Sequence, residues 1–127
     1  ERVKIGVQIA KEYVDDEDAF SKKIYDVIGA GVGIIESVPA AVSIAYYTQD
    51  PNKCCLMCAN LGGDTDTIGA MATAICGAFV GYSKINSEYT ELLRVQNPET
   101  DFEEYINILE KEGSCWDADA SSRSCDC

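Results

Sequence analysis

The sequence predicts an all-α domain, on three observations. Apolar residues recur at helical spacing in several long stretches. Strand-like alternation appears only in the first dozen residues. Asp, Ser and Pro start signals alternate with Gly stop signals along the rest of the chain.

The elements follow in order. Residues 1–14 are ambiguous: Val3, Ile5, Val7 and Ile9 alternate, while Val3, Val7, Ala10 and Val14 fit one helix face. The run Ile9–Val14 tips the reading to helix. Asp15 or Asp16 caps the next helix, whose apolar face is Phe20, Ile24, Val27 and Ile28, with Gly29 beyond its end. After the glycine-rich loop Gly29–Gly33, Ser37 offers an N-cap, Pro39 suits a first turn, and Ala40–Tyr47 has helix and core character. Asp50-Pro51 repeats the cap-then-proline signal for a helix that ends near Leu61 at Gly62-Gly63. From Asp64 to Gly81, Ile68, Met71, Ala72, Ile75 and Phe79 mark one face and the remaining residues are small. The segment is therefore expected to be the central helix, buried on most sides. Asn86–Gln96 and Asp101–Glu112 predict two amphipathic surface helices. Phe102, Tyr105, Ile106 and Leu109 form the core stripe of the second, and Gly113 ends it. Residues 1–113 thus form the helical part, and the Ser/Asp/Cys-rich residues 114–127 are expected to be a poorly ordered tail.

Composition narrows the chemistry. The chain has 127 residues, ten Lys plus Arg against 22 Asp plus Glu, a net charge of −12, seven cysteines and no histidine. Histidine-based nucleophilic or acid/base catalysis and imidazole metal ligation are excluded. The acidic balance argues against binding nucleic acid through its backbone charge and against anionic membranes. No apolar run approaches the ~20 residues of a membrane span. Carboxylates dominate what is left, and their natural partner is a hard divalent cation. The start, Glu1-Arg2-Val3-Lys4, lacks the apolar run of a secretory signal, and an odd number of cysteines cannot all pair internally. Reduced thiols in the cytoplasm are therefore expected.

Gly62-Gly63-Asp64-Thr65-Asp66-Thr67, at the head of the small-residue helix, carries the strongest chemical signal. Two residues apart inside a helix, two carboxylates diverge by about 200°. They converge only if Asp64 sits at or before the cap and Asp66 lies in the first turn, an approach the two glycines permit. Thr67 then adds a hydroxyl, giving an oxygen-only site suited to Mg²⁺ or Mn²⁺. The plainer alternative is that Asp64 caps the helix, Asp66 meets its dipole and Thr67 is incidental. Capping alone, however, needs neither the glycine pair nor the small helix.

The run Asn60-Leu61-Gly62-Gly63-Asp64-Thr65-Asp66-Thr67-Ile68-Gly69-Ala70-Met71-Ala72, with Gly77-Ala78 and Gly81, resembles the C-terminal signature of the ADP-ribosylglycohydrolase family. Upstream, Gly29–Gly33 followed by Glu36-Ser37-Val38-Pro39-Ala40-Ala41 is similar to that family's glycine loop and the helix after it. Order and spacing fit from about Tyr13 to Glu112. The resemblance implies a compact orthogonal helix bundle with two Mg²⁺ or Mn²⁺ ions at the bottom of an ADP-ribose cleft. Asp64, Asp66 and Thr67 would be metal ligands, and Gly31, Val32 and Ser37 would lie along the ADP-ribose near its diphosphate. The implied reaction is hydrolysis at C1″ of the distal ribose, releasing ADP-ribose from a modified protein or small molecule.

The sequence departs from the family pattern in one respect. The family's Thr-Asp-Asp cluster and its acidic catalytic residue belong to the N-terminal half, and no Thr-Asp-Asp occurs in this chain. The chain is therefore expected to be the C-terminal part of a longer enzyme. It would carry half of the dimetal site and no catalytic residue, and would be inactive without its N-terminal half. A non-enzymatic relative, ADP-ribose-binding or structural, is the main alternative, against which the intact Asp64, Asp66 and Thr67 count. A metal-dependent phosphohydrolase of unrelated helical fold is a third. Cys55-Leu56-Met57-Cys58, with Cys125-Asp126-Cys127 as a second pair, suggests a zinc or redox site, but the first pair falls inside a predicted helix, so small buried thiols are the simpler reading.

Overall fold

The computed structural model describes residues 1–118, with side chains through residue 111. Its seven α-helices are α1 (Arg2–Glu12), α2 (Glu17–Lys23), α3 (Ile34–Thr48), α4 (Pro51–Leu61), α5 (Thr65–Val80), α6 (Ser87–Gln96) and α7 (Phe102–Ala118). No strand occurs among the described residues. The chain divides into two units, residues 1–86 and residues 87 onward.

The first unit is organised around α3, which packs against α1, α4 and α5. The helical reading of the first residues holds, but α1 buries Gly6, Ile9 and Ala10, leaving Val3 and Val14 exposed. Gly6 sets that face. A β-carbon there would lie 1.8 Å from Ser43 Oγ, so α1 and α3 cross with the Ser43 side chain seated against the bare Gly6 backbone. Asp16 caps α2 by accepting from the Ala19 N–H at 3.0 Å. The helix then widens into a π-helical turn over Ile24–Ile28, closed by the Gly29 N–H on the Ile24 carbonyl at 3.1 Å. The wider turn keeps Phe20, Ile24 and Ile28 in line in the core and swings Val27 out to solvent, which corrects the expected stripe. Phe20 stacks on Tyr47 with ring centroids 3.9 Å apart, and the Tyr47 hydroxyl reaches the Tyr13 and Val14 carbonyls at 3.1 and 3.2 Å. Asp50 caps α4, accepting from the N–H groups of Asn52 and Lys53 at 2.7 and 3.2 Å. Those two bonds hold its carboxyl below the ordinary carboxylate range.

Two expectations about this unit are overturned. Helix α3 starts at Ile34 with Gly33 as its cap, not at Ser37, so Ser37 and Pro39 lie inside it. The Gly33 carbonyl already accepts from the Glu36 and Ser37 N–H groups, which fixes the earlier start. The central helix is α3, which buries Ser37, Pro39, Ala40, Ala41, Ser43, Ile44 and Ala45, and not α5. Helix α5 buries only Ile68, Ala72 and Cys76, spaced four apart. Ile75 is 46% and Phe79 72% exposed, and a β-carbon on Gly77 would meet nothing within 4 Å. Its small residues face open space as well as neighbours.

In the second unit, Asp101 caps α7 by accepting from the Glu103 and Glu104 N–H groups, and Arg94 of α6 pairs with Glu103 at 2.8 Å. Of the expected stripe, Phe102 is half-buried, whereas Tyr105, Ile106 and Leu109 are exposed. Helix α7 runs through Gly113 to Ala118 rather than stopping there, since one helical glycine costs only about 1 kcal/mol. The remainder of the expected tail, residues 119–127, lies outside the described residues. No helix among the described residues is long and apolar enough to cross a membrane.

Candidate functional site

The acidic corner is built by the turn from α4 into α5. Leu61 ends α4, and the chain passes through Gly62 and Gly63 at φ of +87° and +73°, a region costly for other residues. Gly63 is fixed twice over: a β-carbon on it would sit 2.1 Å from the Ala30 carbonyl oxygen. That close approach lets the Asp64 N–H donate to the same carbonyl at 2.7 Å. The corner and the glycine loop, some thirty residues apart in sequence, are thereby joined by one backbone hydrogen bond.

Asp64 occupies the cap position of α5, yet its side chain accepts no bond from the helix N–H groups. Its Oδ1 instead accepts from the Thr67 hydroxyl at 3.0 Å. The neighbouring Asp64 side chain first, and the backbone N–H groups of Thr67 and of Asp66 itself, hold the Asp66 carboxyl below the ordinary carboxylate range. Thr67 therefore meets Asp64, and the simple capping role for Asp64 does not describe it. Asp64 is half-buried, while Asp66 and Thr67 are open to solvent. Two carboxylates this close repel unless a proton or a cation is shared between them. The donor set is all oxygen, as a hard divalent ion requires, but two carboxylates and a hydroxyl do not complete a coordination shell of six. Among the described residues no group of three or more Cys, Asp or Glu side chains could hold a metal.

The glycine loop is braced from beneath. The Gly31 N–H donates to Glu36 Oε2 at 2.9 Å, and the Arg2 guanidinium donates to the Ile28 carbonyl at 2.8 Å while lying 4.0 Å from Glu36 Oε1. A β-carbon on Gly29 or Gly31 would come within 2.5 or 2.8 Å of Glu36 Oε2. Val32, 85% exposed, stands at the loop tip. Ser37 is 3% exposed, and its hydroxyl turns back to the Gly33 carbonyl at 3.3 Å. Glu36 and Arg2 are the residues that sequence reasoning missed. Glu36 carried a usable signal: with Gly33 as cap it stands at the third helical position, where an acidic side chain reaches back toward unpaired N–H groups.

The sequence profile of the ADP-ribosylglycohydrolase family matches residues 1–118. The chain belongs to the ADP-ribosylglycohydrolase family. It is 46% identical over 111 residues to "Uncharacterized protein YegU" of Escherichia coli, an alignment covering 87% of this chain and 33% of that protein. It is 35% identical over 86 residues to "ADP-ribosylhydrolase ARH3" of Xenopus tropicalis, covering 59% and 25%. To "ADP-ribosylarginine hydrolase Tri1" of Serratia proteamaculans it is 31% identical over 74 residues, covering 58% and 20%. The chain thus spans a third or less of the length of these relatives. No solved structure matches it. Family membership removes the reading as an unrelated phosphohydrolase.

Proposed function

We propose that this chain is part of a metal-dependent hydrolase that cleaves the N- or O-glycosidic bond between ADP-ribose and a modified protein or small molecule. The observation that carries this reading is the turn of the Asp64 carboxylate away from the α5 N–H groups and toward the Thr67 hydroxyl. Asp64, Asp66 and Thr67 would hold Mg²⁺ or Mn²⁺, as half of a two-ion centre. The rest of the shell would come from water, substrate hydroxyls and the N-terminal half of the whole protein. When bound, such ions orient ribose hydroxyls and make water a better nucleophile. The names of the relatives, ADP-ribosylhydrolase and ADP-ribosylarginine hydrolase, support the reaction class.

The chain's own residues would do the holding. The Gly63 turn and the Asp64–Ala30 bond set the corner. The exposed loop tip at Val32, ahead of the α3 N-terminus, would offer backbone donors to a diphosphate. Ser37 supports that loop from below, and Glu36 keeps the Gly31 N–H for itself. Free thiols at Cys54, Cys55, Cys58 and Cys76 suit a reducing, cytoplasmic setting.

The test uses the full-length protein and an ADP-ribosylated substrate. ADP-ribose release should require Mg²⁺ or Mn²⁺, vanish in Asp66→Ala and vanish with excess chelator, while residues 1–127 alone stay inactive. Undiminished turnover in Asp66→Ala or under chelation refutes the metal assignment. ADP-ribose binding without release by the intact protein would favour the non-enzymatic alternative.

A further inference from the structure

Helices α4 and α5 enclose a second feature that the hydrolase reading does not use. An open groove of about 310 Å³ between them is lined by Cys55 and Cys58 on one wall and by Thr65, Asp66 and Gly69 on the other. Cys55 is exposed, whereas Cys58 is buried at the groove's edge, where a β-carbon on Gly69 would lie 3.4 Å from its own. Three residues apart on one helix, their α-carbons are about 5 Å apart, inside the window of roughly 4.4–6.8 Å that a disulfide spans.

We propose that Cys55 and Cys58 form a reversible dithiol site on this groove, which reacts with low-molecular-weight disulfides. Cys55 is the point of entry because it alone of the described thiols is exposed. Its thiolate attacks one sulfur of the small disulfide, that S–S bond breaks, and one small thiolate leaves and takes up a proton. The Cys58 thiolate then attacks Cys55 Sγ and expels the second small thiol. Two protein thiols are oxidised, and one small disulfide is reduced to two thiols.

The surroundings suit Cys58 for the second step. The neighbouring buried Cys54 thiol holds Cys58 below the usual thiol value, against its burial. The same neighbour, and then burial, push Cys54 up, which keeps it a thiol. Burial likewise raises Cys76, whose sulfur lies 3.6 Å from Thr48 Oγ1. Closing the bond must draw β-carbons from the ~5–6 Å of a helical pair to about 3.8 Å, which tightens the last turns of α4. A strained bond of this kind reduces easily, as a reversible site requires.

The test treats the full-length protein with oxidised glutathione and follows intact mass and fragment mapping over time. The wild type should pass through a transient glutathione adduct on Cys55 and end two hydrogens lighter, with Cys55 joined to Cys58. Cys58→Ser should keep the adduct, and Cys55→Ser should show neither adduct nor internal bond at these positions. Dithiothreitol should reverse the wild-type product. A persistent Cys55 adduct in the wild type, an internal bond that uses Cys54 or Cys76, or no reaction at α4 overturns the proposal. The wild-type time course decides even if Cys58→Ser folds poorly.

Discussion

Gly63→Ala should damage the acidic corner more than any other single methyl group added to the turn. The new β-carbon would start 2.1 Å from the Ala30 carbonyl oxygen, where ordinary contact begins near 3.4 Å. Relieving the overlap moves the two segments apart by about 1.3 Å. The Asp64 N–H to Ala30 bond then stretches from 2.7 Å to about 4 Å, past any hydrogen bond. Losing it where Ala30 is buried costs roughly 1–3 kcal/mol, and the left-handed backbone at φ +73° adds roughly 1–2 kcal/mol. The sum, about 2–5 kcal/mol, should lower the urea midpoint by about 1–3 M at typical slopes. Gly62→Ala is the internal control. With φ of 87° and ψ of 169° it lies in a region essentially reserved for glycine, but its β-carbon would only touch the Tyr25 ring at 3.4 Å, so a backbone cost of about 1–3 kcal/mol stands alone. Urea unfolding followed by circular dichroism, with Mn²⁺ affinity measured in parallel on full-length protein, reads both effects. Equal midpoints for the two variants, or wild-type Mn²⁺ affinity in Gly63→Ala, would refute the claim that the Ala30 contact sets the corner.

Other outcomes follow from the packing. Gly6→Ala should cost about 1–3 kcal/mol in urea unfolding, because its β-carbon would overlap both Oγ and Cβ of Ser43 and force α1 off α3. Gly77→Ala in the 127-residue chain should instead stabilise by about 0.5–1 kcal/mol, since the added methyl meets nothing and glycine is a poor helix former. Tyr47→Phe keeps the stack on Phe20 and loses the hydroxyl's reach to Tyr13 and Val14, a loss of about 0.5–1.5 kcal/mol by the same measurement. Asp50 has a lowered carboxyl value in the folded chain, so its stabilising effect is present above the ordinary carboxylate value and fades as pH falls through the lower one. Acid titration of Asp50→Asn, which keeps an accepting oxygen, should therefore show a shallower loss of stability below about pH 4 than wild type.

Helix existence was legible because caps and stops are local. Asp16, Asp50 and Gly62 act where the residue types say they should. Face assignment was less legible, because it depends on what lies opposite. Val27 looked like core on a 3.6-residue period and left the core when the turn became π-helical. The small residues of α5 looked like a buried helix, but smallness permits close packing without requiring it, and the chain spans only a third of the relatives' length. The meeting of Asp64 and Thr67 was readable from the glycine pair ahead of them. The Ala30 contact was not, since nothing local announces which distant carbonyl a glycine will touch.

The Glu36 brace bears on how a diphosphate could use the glycine loop. Read from sequence, the loop offers its N–H groups to an anion, yet one of them, on Gly31, already serves a carboxylate of the chain itself. That carboxylate has a guanidinium 4.0 Å away, on Arg2, which also holds the Ile28 carbonyl just before the loop. Three segments, at residue 2, residues 28–36 and residues 62–67, are thus tied through Arg2, Glu36 and the Ala30 carbonyl. The shape of the loop is maintained internally by a negative charge that would repel a phosphate brought to the same face. A diphosphate on this loop would therefore lie toward Val32 and the first turn of α3, away from Gly31, where the helix N-terminus offsets its charge. Of the three residues that the family resemblance places along an ADP-ribose, Val32 would then be the one to offer its backbone to the ligand, while Gly31 and Ser37 would serve by keeping the loop in shape.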